Sequence, residues 1–293
     1  MKRIFLFLAT NIAVMITLSI VLSLLGFSGY LTPTGLDYSA LMVFSLVWGM
    51  AGAFISLQMS RWMAKRAMGV QLVDGKSGQP ELDWLHQTVA NLARKAGLPV
   101  PEVGIYDSPE VNAFATGPSK KRSLVAVSTG LLRSMRREEV EGVLAHEVAH
   151  IQNGDMVTLT LIQGVVNAFV LFFSRIVANI VRQMVDEKIS TLVFFVTTIV
   201  FDIAFGILGS MVVAWFSRAR EFRADAGGAQ LAGKANMLGA LQRLMQNKDM
   251  VDSSQPQLAA MKISGARSGF MALISTHPPL ERRIAALQSA QIL

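Results

Sequence analysis

Between Tyr38 and Ser60 the chain carries no charged side chain, and the same is true from Ile4 to Tyr30 and from Met156 to Ser174. A fourth run, Ser190 to Ser217, is interrupted only by Asp202. About 20 apolar residues in a helix cross the hydrocarbon layer of a bilayer. Within that layer only helices and closed barrels satisfy their own backbone. These runs therefore predict a mainly α, multi-pass membrane protein with two transmembrane helical hairpins. Composition agrees: 52% of the 293 residues are hydrophobic and 16% charged, where soluble domains carry about 25% charged residues.

Charge placement gives an orientation. Lys2 and Arg3 precede the first run, and Arg61, Lys65 and Arg66 follow the second. The turn between them, Gly26 to Asp37, contains Pro33 and no basic residue. The positive-inside rule then places the N-terminus and residue 61 onward in the cytoplasm. The first run is longer than a signal-peptide core and lacks a small-residue cleavage site, so it reads as an uncleaved anchor. Arg218, Arg220 and Arg223 close the second pair of runs. Arg175, Arg182 and Lys188 at its far turn run against the rule, partly offset by Asp186 and Glu187. Asp202 is expected near Gln163 and Asn167, as a hydrogen-bonded pin between two helices. The net charge of +7 sits largely beside apolar runs, which suits an anionic lipid surface. No stripe of interleaved Arg and aromatic residues appears, so a nucleic acid is not an expected partner; a nucleotide is not expected either.

Chemistry concentrates in His146-Glu147-Val148-Ala149-His150. Two of the four histidines in the chain fall here. Apolar residues from Leu131 to Ile151 recur at helical spacing, with no Pro among them. Residues four apart lie one turn above each other on a helix. His146 and His150 can thus aim two ring nitrogens at one point, at the roughly 2.0–2.1 Å that zinc requires. Glu147 lies at the edge of that face, where a general base for an attacking water belongs. The chain has no Cys, so any remaining ligand must be His, Asp or Glu.

A catalytic zinc takes three protein ligands. His86 and His277 are possible, but Glu221 is the better third ligand. It opens a helix that leaves the fourth apolar run, and folding the last two runs into a hairpin returns it towards His150. Asp225, one turn on, is placed to accept the second ring N–H of a ligating His. Ala224, Ala226, Gly227, Gly228 and Ala229 make this helix narrow enough to pack closely.

Elsewhere a helix is expected over 82–96, stopped by Gly97 and Pro99. Strands are expected at Glu102–Tyr106, Asn112–Thr116 and Leu124–Ser128. Helices follow at 217–231 and 236–247, with a polar linker from Asp249 to Gln257. A last helix follows Thr276-His277-Pro278-Pro279. Four segments result: a membrane hairpin at 1–60, the first part of a catalytic domain at 61–155, a second hairpin at 156–217, and the remainder of the catalytic domain at 218–293.

His146-Glu147-x-x-His150, Glu221-x-x-x-Asp225, Asn112-Ala113-Phe114 and Thr276-His277-Pro278-Pro279 together resemble the HtpX family of membrane metallopeptidases, relatives of the CAAX prenyl endopeptidases. The resemblance covers essentially the whole chain. It implies a gluzincin-like α+β metallopeptidase domain holding one zinc through His146, His150 and Glu221. It also implies a bacterial inner-membrane endopeptidase that removes misfolded membrane proteins without ATP under heat or envelope stress. Asn112 and Ala113 are expected to contact an extended substrate, or to form a turn. His277 is expected to stabilise the oxyanion, or to hydrogen-bond within its loop. Two other readings remain: a scaffold with a structural zinc, and a prenyl-protein peptidase. A structural zinc would normally have four protein ligands; only three candidates are present. No chamber for a lipid tail is recognisable in the sequence.

Overall fold

Alternating Val, Ile and Ala between residues 102 and 128 build the sheet that organises the catalytic half of the chain. The computed structural model describes residues 20, 23–24, 29–32, 35–246 and 273–290. The first apolar run lies almost wholly outside them, as does the Asp249–Gln257 linker. In chain order the elements are β1 (Leu31–Thr32), β2 (Gly35–Leu36), α1 (Tyr38–Met68), β3 (Gln71–Val73), α2 (Pro80–Lys95), β4 (Glu102–Tyr106), β5 (Ala113–Ser119) and β6 (Arg122–Ser128). Then come α3 (Thr129–Ser134), α4 (Arg137–Asn153), α5 (Asp155–Arg182), α6 (Glu187–Ala232), α7 (Lys234–Gln246) and α8 (Leu280–Ser289).

The chain divides into two compact units, one formed by Met1–Ser56 with Leu159–Val213 and the other by Leu57–Thr158 with Ala214–Leu293. In the second unit the sheet order is β3-β4-β6-β5. β4 and β6 are parallel, with Val103 opposite Val125 and Ile105 opposite Val127. β5 runs antiparallel to β6 and forms one edge. Side chains alternate across a strand, so Val103, Ala113, Val125 and Val127 share one face. They join Leu85, Val89 and Leu92 of α2 and Val143, Leu144 and Val148 of α4 in the main core. Tyr106, Phe114, Leu124 and Ala126 form the other face, against Ala64 of α1. Burying one Leu stabilises a fold by about 1.5–3 kcal/mol, and Leu85, Leu92 and Leu144 are almost fully enclosed.

The strand at 112–116 is displaced by one residue and extended, to 113–119. β3 was not anticipated; three residues are too few to show a period. The helical pattern from Leu131 to Ile151 is two helices, α3 and α4. Met135 and Arg136 are extended between them, at φ/ψ of −117/146° and −74/160°. A local bond explains the break: Arg136 N–H donates to Glu139 Oε2 at 2.8 Å, satisfying a backbone donor where α4 begins. Glu139 also takes Arg243 Nε at 3.3 Å, tying α4 to α7. At the other end Gly154 takes φ +69° and closes α4. The expected helix at 217–231 is not separate: α6 continues unbroken from the fourth apolar run.

In the first unit, α1 and α5 cross where both are small. A methyl group on Gly49 would lie 2.5 Å from Ala168 N, and one on Gly164 would lie 2.7 Å from Met50 Sδ. Asp202 does not pair with Gln163 or Asn167, which bond to each other at 2.8 Å. Its partner is Arg175, Nη1 to Oδ1 at 2.6 Å. A charged donor compensates a carboxylate in apolar surroundings better than an amide does. Among the described residues, α1, α5 and α6 are long and apolar enough to cross a membrane.

Candidate metal centre

The His146 and His150 rings stand edge to face, with centroids 4.6 Å apart. Their Nε2 atoms are 3.1 Å from each other. Each also lies 3.4 Å from a Glu221 carboxylate oxygen. One donor atom from each of these three residues lies within 4.8 Å of the others, and all three residues are buried. The opposite ring nitrogens are held by acids. His146 Nδ1 is 3.0 Å from Asp225 Oδ1, and His150 Nδ1 is 2.6 Å from Asp155 Oδ2. A carboxylate on Nδ1–H fixes the tautomer and leaves the Nε2 lone pair free.

Asp225 is gripped by Arg283 of α8, through Nε at 2.8 Å and Nη2 at 2.6 Å. Arg283 Nη1 also stands 3.4 Å from Glu221 Oε2. His277 Nδ1 lies 3.0 Å from the same oxygen. Asn112 and Ala113 sit at the start of the edge strand β5, buried. Asn112 N–H donates to Ser128 Oγ at 3.1 Å; Ala113 faces Val127. His86 is outside the cluster and packs over the loop at Gly75.

Asp155 and Arg283 were not anticipated. Asp155 follows the helix-ending Gly154 and precedes an apolar run, so in sequence it reads as an N-terminal helix charge. Arg283 reads as a surface cation on an amphipathic helix. A buried Arg needs a carboxylate, but sequence spacing does not bring residues 225 and 283 together.

The site suits a cation. Glu147, Asp155, Glu221 and Asp225 are all at most 4% exposed; Arg283 is buried among them, and Arg220 and Arg223 reach Glu221 and Asp155 at 3.7 and 3.5 Å. Neither Glu221 oxygen has an aligned hydrogen bond among the described residues. A buried carboxylate whose neighbours are not aligned to donate is costly, and a divalent ion among two imidazoles and this carboxylate would lower that cost. The N,N,O donor set matches zinc.

Burial opposes charge on His146, but its contacts with Asp225 and then Glu221 outweigh this and raise its pKa to about 9. A raised value means the proton is held below about pH 9 and released above it. A cation entering at neutral pH therefore displaces a proton. Metal affinity should rise as pH increases from neutral towards about 9, which titration against a competing chelator would measure.

Close packing brings Glu221 and Asp225 to the histidines. A methyl group on Gly228 would lie 3.1 Å from His146 N, 3.2 Å from His146 Cα and 3.0 Å from Met237 Sδ. On Gly227 it would lie 2.9 Å from Ala149 Cβ. The Gly228→Val variant should push α6 off α4, cost about 1–3 kcal/mol through overpacking and weaken metal retention. Thermal unfolding and metal analysis of the purified variant would show both.

Two ring nitrogens from one helix turn and a carboxylate from a second helix, with Glu147 beside them, define a metallopeptidase-type centre. Residues 80–291 match Peptidase family M48, and the chain belongs to that family. It is 50% identical over 295 residues to "Protease HtpX homolog" of Methylacidiphilum infernorum (isolate V4), covering 98% of each chain. It is 53% identical over 296 residues to "Protease HtpX" of Shewanella sp. (strain MR-4), covering 99% of this chain and 100% of that one. The crystal structure of S. mikatae Ste24p shares the fold, at TM-score 0.65 and 16% identity over 98% of this chain. The chain spans 64% of that protein's length. The protein is thus a membrane metalloprotease that acts on peptide substrates.

Proposed function

We propose that this protein is a zinc endopeptidase of the bacterial inner membrane that cleaves misfolded or damaged membrane proteins as part of a stress response. The observation that carries the metal assignment is the convergence of His146 Nε2 and His150 Nε2 on the buried Glu221 carboxylate, each at 3.4 Å. His146, His150 and Glu221 hold one zinc. Asp225 positions His146. When bound, zinc makes water acidic enough to attack at neutral pH and draws charge from a peptide carbonyl. Glu147 accepts a proton from the attacking water and passes it to the leaving nitrogen. His277 donates to the developing oxyanion. An extended substrate segment adds to the free edge of β5, beginning at Asn112 and Ala113.

The two-hairpin arrangement, with residues 1–60 and 156–217 in the membrane and 61–155 with 218–293 forming the catalytic domain, belongs to the same proposal. So does a cytoplasmic active site. Basic residues at 2–3, 61–66 and 218–223 support that orientation. The quality-control role is what the motif resemblance to the HtpX family implies; the relatives' names support a protease. The substrates would then be cytoplasmic loops and tails of membrane proteins.

Purified full-length protein, with its membrane segments intact, should bind one zinc and digest casein. Chelation should stop digestion and added zinc restore it. Zinc without chelator-sensitive cleavage would favour a structural metal in a scaffold.

A further inference from the structure

The turn between β5 and β6 carries Lys120 and Lys121 and leads directly into Arg122. All three side chains are exposed, and among the described residues none forms an ion pair with a carboxylate. By contrast, Arg61 and Lys65 of α1 are both committed to Glu102, at 3.2 and 3.0 Å.

The position of this turn is specific. Arg122 Nη2 donates to Gln58 Oε1 at 3.1 Å, and Gln58 stands two residues before the end of the charge-free stretch of α1. A methyl group on Gly154 would lie 3.9 Å from Lys120 Cε, and Gly154 stands two residues before the charge-free stretch that opens at Met156. One turn thus bonds to the end of one apolar segment and lies close to the start of another. Trp62, one helical turn beyond Gln58, is 44% exposed, and Trp215, near the end of the last apolar run, is 60% exposed. Tryptophan in such positions favours the headgroup layer of a bilayer.

We propose that the Lys120–Arg122 turn is a docking surface for anionic phospholipid headgroups. Three exposed cations, none of them in an ion pair among the described residues, lie where two apolar segments leave the hydrocarbon, which complements a negatively charged leaflet. The turn is also the end of the edge strand β5, so the lipid contact fixes one end of that strand at the membrane surface. This holds whatever reaction the metal centre performs. Each cation near an anionic surface strengthens the contact roughly fivefold at low salt, and screening weakens it as salt rises.

The chain has no cysteine, so Ser119→Cys gives a single labelling site at the turn. Full-length protein carrying a fluorophore there would be placed in nanodiscs of phosphatidylcholine mixed with phosphatidylglycerol. A nitroxide would be attached to the headgroup of one lipid or the other. The expected result is quenching severalfold stronger from labelled phosphatidylglycerol than from labelled phosphatidylcholine at equal fraction, falling with added salt. The combined Lys120→Gln, Lys121→Gln, Arg122→Gln variant should lose that preference. The charge-conserving Lys120→Arg, Lys121→Arg, Arg122→Lys variant should keep it, which separates lost charge from lost folding. Equal quenching by both lipids, no quenching by either, or a preference that survives the glutamine substitutions would overturn the proposal. So would protection of the label by a polyglutamate peptide but not by the anionic lipid.

Discussion

Replacing Glu147 by Gln should leave zinc bound one to one and cut peptide hydrolysis by roughly 10²–10⁴-fold, the usual contribution of a positioned proton-transfer group. That loss corresponds to about 3–5 kcal/mol in the barrier. Gln keeps the size and the hydrogen-bonding reach of the side chain but cannot accept a proton. Glu147 is nearly enclosed within α4 and lies outside the trio of converging ligand atoms, so the fold and the metal should survive. Zinc analysis beside a casein assay separates the two functions. Wild-type cleavage by this variant would remove Glu147 from the chemistry.

The Glu221→Gln change should have the opposite signature: zinc is lost first and activity with it. Altering a partner behind a metal ligand already costs about 10–100-fold in affinity, so removing the charge from a ligand itself should cost at least about 100-fold. Gln can still accept from Arg283, which stands 3.4 Å from Glu221 Oε2. Glu221→Ala would also take away that acceptor and leave a cavity beside the buried Arg, and so would confuse metal loss with unfolding. Competition with a fluorescent chelator gives the affinity of the Gln variant, and circular dichroism reports whether it is folded. Unchanged zinc affinity would show that the third ligand lies elsewhere.

Much of this site was legible because it is local. His146, Glu147 and His150 share one helix turn, and Glu221 and Asp225 share another; a period of 3.6 residues carries both groupings. What joins the two turns is tertiary, and the small side chains from Ala224 to Ala229 were its trace in the sequence. Asp155 and Arg283 escaped because their partners depend on folding. Asp155 reaches His150 only because Gly154 ends the helix between them, and Arg283 reaches Asp225 only when α8 docks. The pairing of Asp202 with Arg175 was missed for a related reason. Folding the two runs back about the polar turn set Asp202 level with Gln163 and Asn167, whereas it stands opposite Arg175, about two helical turns nearer that turn. The break at Met135 was hidden because both flanking helices keep an apolar face towards the same core.

The single turn between Glu221 and Asp225 limits which genetic lesions the centre can survive. Inserting or deleting one residue between Ser217 and Glu221 would rotate the rest of the helix by about 100° relative to what precedes it. Either the acid pair would swing away from both imidazoles together, or the preceding coil would have to unwind. Indels in this stretch should therefore be far more damaging than most substitutions, and shifting by a full turn would not restore the register along the axis.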